Sequence, residues 1–130
     1  PLNIDSLFSS DFYRCKETVK PFLEHRSLSV EYLKDLRERN PDKESHQSLN
    51  DRVKAWFEIE KTKLFTSNCI VIAHCGSCNM ILEEIDTKHL PLYFKYEDEY
   101  HCHTPKAGFW HFLCDQGQIV NYQLITHPYK

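Results

Sequence analysis

Cys69-Ile70-Val71-Ile72-Ala73-His74-Cys75-Gly76-Ser77-Cys78 is the stretch on which the fold turns. Its β-branched run reads as a strand, and the strand leads straight into a C-x2-C pair. Thirty-two residues separate Cys78 from His111-Phe112-Leu113-Cys114, so the chain spells C-x2-C-x32-H-x2-C. A tight turn at each pair lets two ligands face one ion, and thiolates with one imidazole suit tetrahedral zinc. Cys75, Cys78 and Cys114 are the expected ligands, thiolate being the softest donor available. His111 completes the set by spacing, with His101, Cys102 or His103 as alternates for that position. His74 reads as a partner that hydrogen-bonds a ligand sulfur. Cys69 and Cys15 read as a buried strand residue and a helix-core thiol.

Outward from that stretch the two halves differ in texture. Before it, apolar residues recur at helical steps: Phe12, Cys15, Val19 and Phe22 or Leu23 after the capping candidates Ser9, Ser10 and Asp11, with Pro21 as a helix end or start. Val30, Leu33 and Leu36 after Ser29 read as a short second helix, stopped by Asn40-Pro41. Ser48 with Asp51 resembles a capping box for a third, carrying Leu49, Val53, Trp56, Phe57 and Leu64. After Phe65 strands are expected at Cys69–Ala73, Met80–Leu82, Leu92–Phe94, Phe109–Phe112 and Ile119–Ile125, with an exposed acidic loop at Tyr96–Tyr100. The expected class is α+β: N-terminal helices over 1–65, packed on a small antiparallel, zinc-ribbon-like β module over 66–130, the two forming one unit. A small β module buries little apolar surface, so a structural Zn2+ ion with no open position answers an energetic need.

Charge and cysteine usage narrow the function classes. The net charge of −3 is unevenly held: residues 1–65 carry 12 Lys/Arg and 12 Asp/Glu, residues 66–130 carry 4 and 7. A module gripping nucleic acid through phosphates is expected to be basic, and this one is acidic. Eleven of the 14 Cys and His residues follow position 65. Pairing of Cys with His favours metal over disulfides, hence an intracellular setting, cytoplasm or nucleus, over a secreted disulfide-bonded form. No apolar run approaches 18 residues, so no membrane span is expected. The chain has no H-x-E, G-x-S-x-G or H-E-x-x-H, and only three glycines, too few for a phosphate-cradling loop. A non-enzymatic role is therefore expected.

The spacing, with the aromatic run Phe109-Trp110-His111-Phe112, resembles the PARP-type zinc finger over residues 75–114. That resemblance implies Cys75, Cys78, His111 and Cys114 as zinc ligands and recognition of DNA ends or breaks. Where that family is basic this stretch is acidic, which ranks DNA second. The expected function is a zinc-stabilised interaction module that binds another protein in a regulatory complex, through exposed aromatics such as Tyr93, Tyr96, Tyr100, Tyr122 and Tyr129. The alternative is a nucleic-acid-binding zinc-finger domain, in which Arg52, Lys54, Lys61 and Lys63 meet phosphates and Phe109 or Trp110 stack on bases.

Overall fold

Residues 3–24, 26–85, 94–95, 101–102, 104 and 108–126 are described by a computed structural model. A three-stranded parallel sheet forms from segments far apart in the chain: β1 (Ser6–Ser10) lies at its centre, between β2 (Val30–Leu33) and β3 (Cys69–Ile72). Leu7 pairs with Val30 on one side and with Ile70 on the other. Helix α1 (Tyr13–Glu24) links β1 to β2, and α2 (His46–Thr66) precedes β3, after a 3-10 turn at Lys34–Leu36. Helix α3 (Cys75–Ile85) follows β3 directly. Two short strands, β4 (Phe94–Lys95) and β5 (His101–Cys102), pair antiparallel, as do the longer β6 (Phe109–Asp115) and β7 (Gln118–Ile125).

The sheet is covered on both faces, as parallel sheets require. Strand alternation sends Phe8 to the side where α2 and α3 pack. There it joins Leu36, Leu49, Val53, Trp56, Phe57 and Ile81, with Val71 and Ala73 of the β3 segment against them. Leu49, Val53, Trp56 and Phe57 recur at steps of four, three and one, the stripe of a helix laid on a core. Helix α1 covers the opposite face with buried Cys15 and Val19, touching both β1 and β3. Ser45 caps α2, its Oγ accepting from Ser48 N at 3.1 Å.

Mixed helix and sheet stands; the finer expectation does not follow from what is seen. The Met80–Leu82 run lies inside α3, so the first Cys pair opens a helix and not a strand–turn–strand knuckle. Val30 to Leu36 is β2 plus a 3-10 turn, because three apolar residues spaced by three fit either state when the segment is short. Pro21 lies inside α1, on its exposed side. β3 lies beyond residue 65 yet pairs with β1 in the first half. Leu92, Tyr93, Tyr96, Tyr100, His103, Tyr129 and the acidic loop lie outside the described residues, as do the side chains of Phe94, His101 and Cys102. No described helix is long and apolar enough to cross a membrane.

The β6–β7 ribbon turns at Gln116-Gly117, both with positive φ (51° and 76°), the two-residue hairpin geometry that matches strand twist. Trp110, Phe112 and Tyr122 cluster on its inner side, their ring centroids about 6 Å apart.

Candidate active site

Two adjacent parallel strands whose following helices leave to opposite faces open a crevice at their carboxyl ends. Here β1 is followed by α1 on one face and β3 by α3 on the other, so the crevice lies beyond Ser10 and Ile72. Ser10, Arg14, Glu38 and His74 meet there. His74 stands between β3 and α3, 7% exposed, its backbone tied by Ser77 Oγ, which accepts from His74 N at 3.0 Å. Its carbonyl accepts the first helical bond of α3, from Cys78 N at 2.7 Å. The ring contacts Phe12 edge-on at 5.1 Å.

Both imidazole nitrogens are engaged. Arg14, in the first turn of α1, brings Nη2 within 3.1 Å of Nδ1. A guanidinium can only donate, so Nδ1 accepts and Nε2 carries the proton. Nε2 then donates to Ser10 Oγ at 2.8 Å, with Cys15 Sγ at 3.7 Å. Burial first, and the Arg14 charge second, hold His74 below the ordinary histidine value, while Glu38 pulls the other way. Glu38 forms the far wall: its Oε2 accepts from Gly76 N at 3.4 Å in the first turn of α3, and its Oε1 from Arg39 N at 3.1 Å. The amino end of α3 adds a positive dipole to the crevice.

Two ion pairs brace these walls. Arg37 grips Asp11 with two bonds of 2.6 Å, and this pairing holds the Asp11 carboxyl below its usual range. Arg52 grips Glu44 with bonds of 2.8 and 2.9 Å and donates to the carbonyls of Asp35 and Arg37, fixing the loop that carries Glu38. Phe12 is flanked by the guanidinium carbons of Arg14 and Arg37 at 5.3 and 5.5 Å from its ring centroid.

The zinc pattern fares differently. Cys75 and Cys78 open α3; Cys75 is disulfide-bonded, and burial pushes the half-buried Cys78 thiol up to about 12. His111 and Cys114 lie three apart within β6, and alternation puts the exposed His111 and half-buried Cys114 on opposite faces. No three His, Cys, Asp or Glu side chains among the described residues group to hold a metal. The metal-binding and zinc-finger expectation is corrected on that ground. The four cations proposed for nucleic acid are dispersed and engaged. Arg52 pairs with Glu44, Lys54 with Glu84 at 3.8 Å, Lys61 with Glu58 at 2.8 Å, and Lys63 lies over the Phe8 ring.

Sequence reasoning reached His74 only as a neighbour of a metal, and missed Ser10, Arg14 and Glu38. A usable signal was present: the apolar run 69–73 ends on a histidine and passes at once into a helical period, Ser77 to Ile81 to Ile85.

The description of the Histidine phosphatase superfamily (branch 1) matches residues 1–43, from before β1 through the Glu38 loop. No curated protein matches the chain. The family match overturns the PARP-type resemblance, the non-enzymatic zinc-stabilised interaction module and its nucleic-acid-binding alternative. It covers Ser10, Arg14 and Glu38; His74 lies outside it and joins them through the fold.

Proposed function

We infer that the chain serves phosphoryl-group chemistry, the cleavage of a phosphate monoester at the carboxyl ends of β1 and β3. The observation that carries this reading is the 3.1 Å contact between Arg14 and the buried, proton-poor face of His74. The superfamily matched over residues 1–43 joins a histidine to phosphate cleavage in its name, and supports it independently.

A phosphate dianion entering the crevice draws Arg14 from Nδ1 onto its oxygens, where the guanidinium fork fits two of them. The same charge favours a proton on His74, offsetting the burial that disfavours it, so the ring donates to a phosphoryl oxygen. Amide groups at the start of α3 point to the same side. Phosphoryl transfer spreads charge over the equatorial oxygens, and fixed donors stabilise it with little reorganisation. Glu38, on the opposite wall, gives a proton to the leaving oxygen as the ester P–O bond breaks, while a water molecule forms the new P–O bond and releases a proton to solvent, from which Glu38 is reprotonated. Ser10 orients His74 through Nε2 and stays off the substrate.

Titration of inorganic phosphate, followed by the His74 imidazole NMR signals, tests this. Binding is expected to raise the pH at which His74 titrates. Replacing Arg14 by Gln is expected to weaken affinity by roughly 10- to 100-fold, the worth of a charge-assisted bond of about 1.5–3 kcal/mol. Glu38→Gln is expected to lower phosphomonoester turnover by about 10²–10⁴-fold with phosphate affinity kept. Phosphate binding that is indifferent to Arg14→Gln sinks the reading.

A further inference from the structure

Away from the crevice, between α2, the end of α3 and the β6–β7 ribbon, lies a cleft of about 550 Å³. None of Ser10, Arg14, Glu38 or His74 lines it. Its walls are built of rings: Phe57 and Phe65 from α2, set edge-on with centroids 5.9 Å apart, and Phe112 and Tyr122 from the ribbon, 6.1 Å apart. At about 30 Å³ per water, the space takes a body of roughly 18 non-hydrogen atoms. An aromatic-walled space of this size, with a few polar groups at its edge, has the form of a small-molecule site.

The charges on its edge do not balance. Glu58, Lys61 and Glu84 line the cleft, two carboxylates against one ammonium. Lys61 is already engaged: its Nζ donates to Glu58 Oε2 at 2.8 Å. Glu84 has a looser partner. Lys54 Nζ stands 3.8 Å from its Oε1, and the Lys54 side chain is 57% exposed against 20% for Glu84, so solvent weakens that pair. The backbone adds to the same sign. α3 ends at Ile85, also on the cleft wall, and the carboxyl end of a helix carries partial negative charge. A basic side chain there offsets that charge; the last turn of α3 has none and carries Glu83 and Glu84 instead. Ring faces are negative as well, so Phe112 and Tyr122 attract a cation brought over them.

We propose that this cleft is a binding site for a small organic cation, an amine on an aromatic or aliphatic body, with the body among the four rings and the ammonium at Glu84. A neutral or anionic ligand gains the rings and forgoes the carboxylate. Glu84 is the residue that sets the charge preference. The site is separate from the crevice and does not depend on what the crevice cleaves.

Calorimetric titration of the full chain with three ligands sharing a naphthalene ring, naphthylmethylamine, naphthalenemethanol and naphthoate, tests the site. The amine is expected to bind about threefold to tenfold more tightly than the alcohol, in line with a partly exposed, charge-assisted bond, and the carboxylate most weakly. Equal affinities, a carboxylate that binds best, or an amine that does not bind overturns the site. Saturating inorganic phosphate is expected to leave the affinity for the amine unchanged; an amine displaced by phosphate lies in the crevice, and the proposal falls. In Glu84→Gln the amine-to-alcohol ratio is expected to drop to within about twofold, and a ratio that survives this change overturns the proposal. Lys54→Gln separates charge from fold, since it breaks the same ion pair and leaves the carboxylate in place. That variant is expected to hold the amine at least as tightly as the unaltered chain does; loss of the ratio there as well makes Glu84 structural, and the site falls.

Discussion

The parallel sheet and the β6–β7 ribbon spend their apolar residues in opposite ways. In the sheet, Leu7, Phe8, Ser9 and Ser10 are essentially inaccessible, and every helix beside them adds carbon to the core. In the ribbon, Phe109 and Leu113 are each 55% exposed and Val120 59%. The sheet holds together through contacts between distant segments, the ribbon through a turn of two residues. Chemistry follows the first pattern: the buried imidazole of His74 and the arginine against it lie at the carboxyl ends of the sheet strands, and none of the crevice residues described above comes from the ribbon.

That contrast breaks if truncations cost the same on both sides. Phe8→Ala removes a ring packed edge-on against Trp56 at 5.5 Å and is expected to destabilise by about 3–5 kcal/mol in chemical denaturation. Leu113→Ser, on the exposed face of the ribbon, is expected to stay within about 0.5 kcal/mol. Equal losses mean that the ribbon carries as much of the core as the sheet.

Acid sharpens the contrast further. His74 is held below the ordinary value of 6.5, so just below that pH the native chain binds fewer protons than the unfolded one. Stability is therefore expected to be complete above about pH 6.5 and to fall as the pH drops toward the native value. His74→Gln flattens that limb; an unchanged slope shows that the ring is not desolvated. A smaller effect lies lower. Asp11 is held below 3.8 by the Arg37 bonds, so its contribution is present above that value and lost as the pH falls through the native one. The denaturation midpoint of Asp11→Asn is expected to vary less with pH below about 4.

The smallest expected effect is none at all. Prolonged treatment with a strong chelator is expected to leave the near-UV CD spectrum and the thermal midpoint unchanged, whereas a structural zinc supplies roughly 10 kcal/mol or more to folding. Loss of signal on chelation restores a metal to the second half of the chain.

Legibility in the sequence tracks the length and purity of each period. α2 was readable because its stripe runs over several turns; only its cap was misplaced, Ser45 for Ser48. β3, β6 and β7 were readable from β-branched and aromatic runs. β1 was not, because two of its five residues, Ser9 and Ser10, are hydroxyls buried without any hydropathy to announce it. Read as helix caps, they were half right: Ser10 Oγ does accept from Phe12 N, at 3.3 Å, just before α1. α3 failed for a different reason. A three-residue apolar run after a C-x2-C pair, Met80 to Leu82, fits strand or helix equally, and metal-ligand spacing favours the strand that α3 overturns. The site was illegible because Ser10, Arg14, Glu38 and His74 share no local pattern; only pairing β1 with β3 puts them in one place.

The two registers of β1 also fix an order of events. Leu7 meets Val30 across 23 residues and Ile70 across 63, as the differences in position give. Closing the longer loop costs about 0.9 kcal/mol more in chain entropy, taking (3/2)RT ln(63/23). β6 and β7, by contrast, close over two residues, on the microsecond scale of hairpins. Refolding is therefore expected to yield the ribbon early and the β1–β3 ladder late, and stopped-flow refolding of a Trp56→Phe variant in phosphate checks it: ligand capture should lag behind the near-UV signal of Trp110, the tryptophan left in the ribbon. Of everything in the molecule, the crevice is expected to be the last part to come into being.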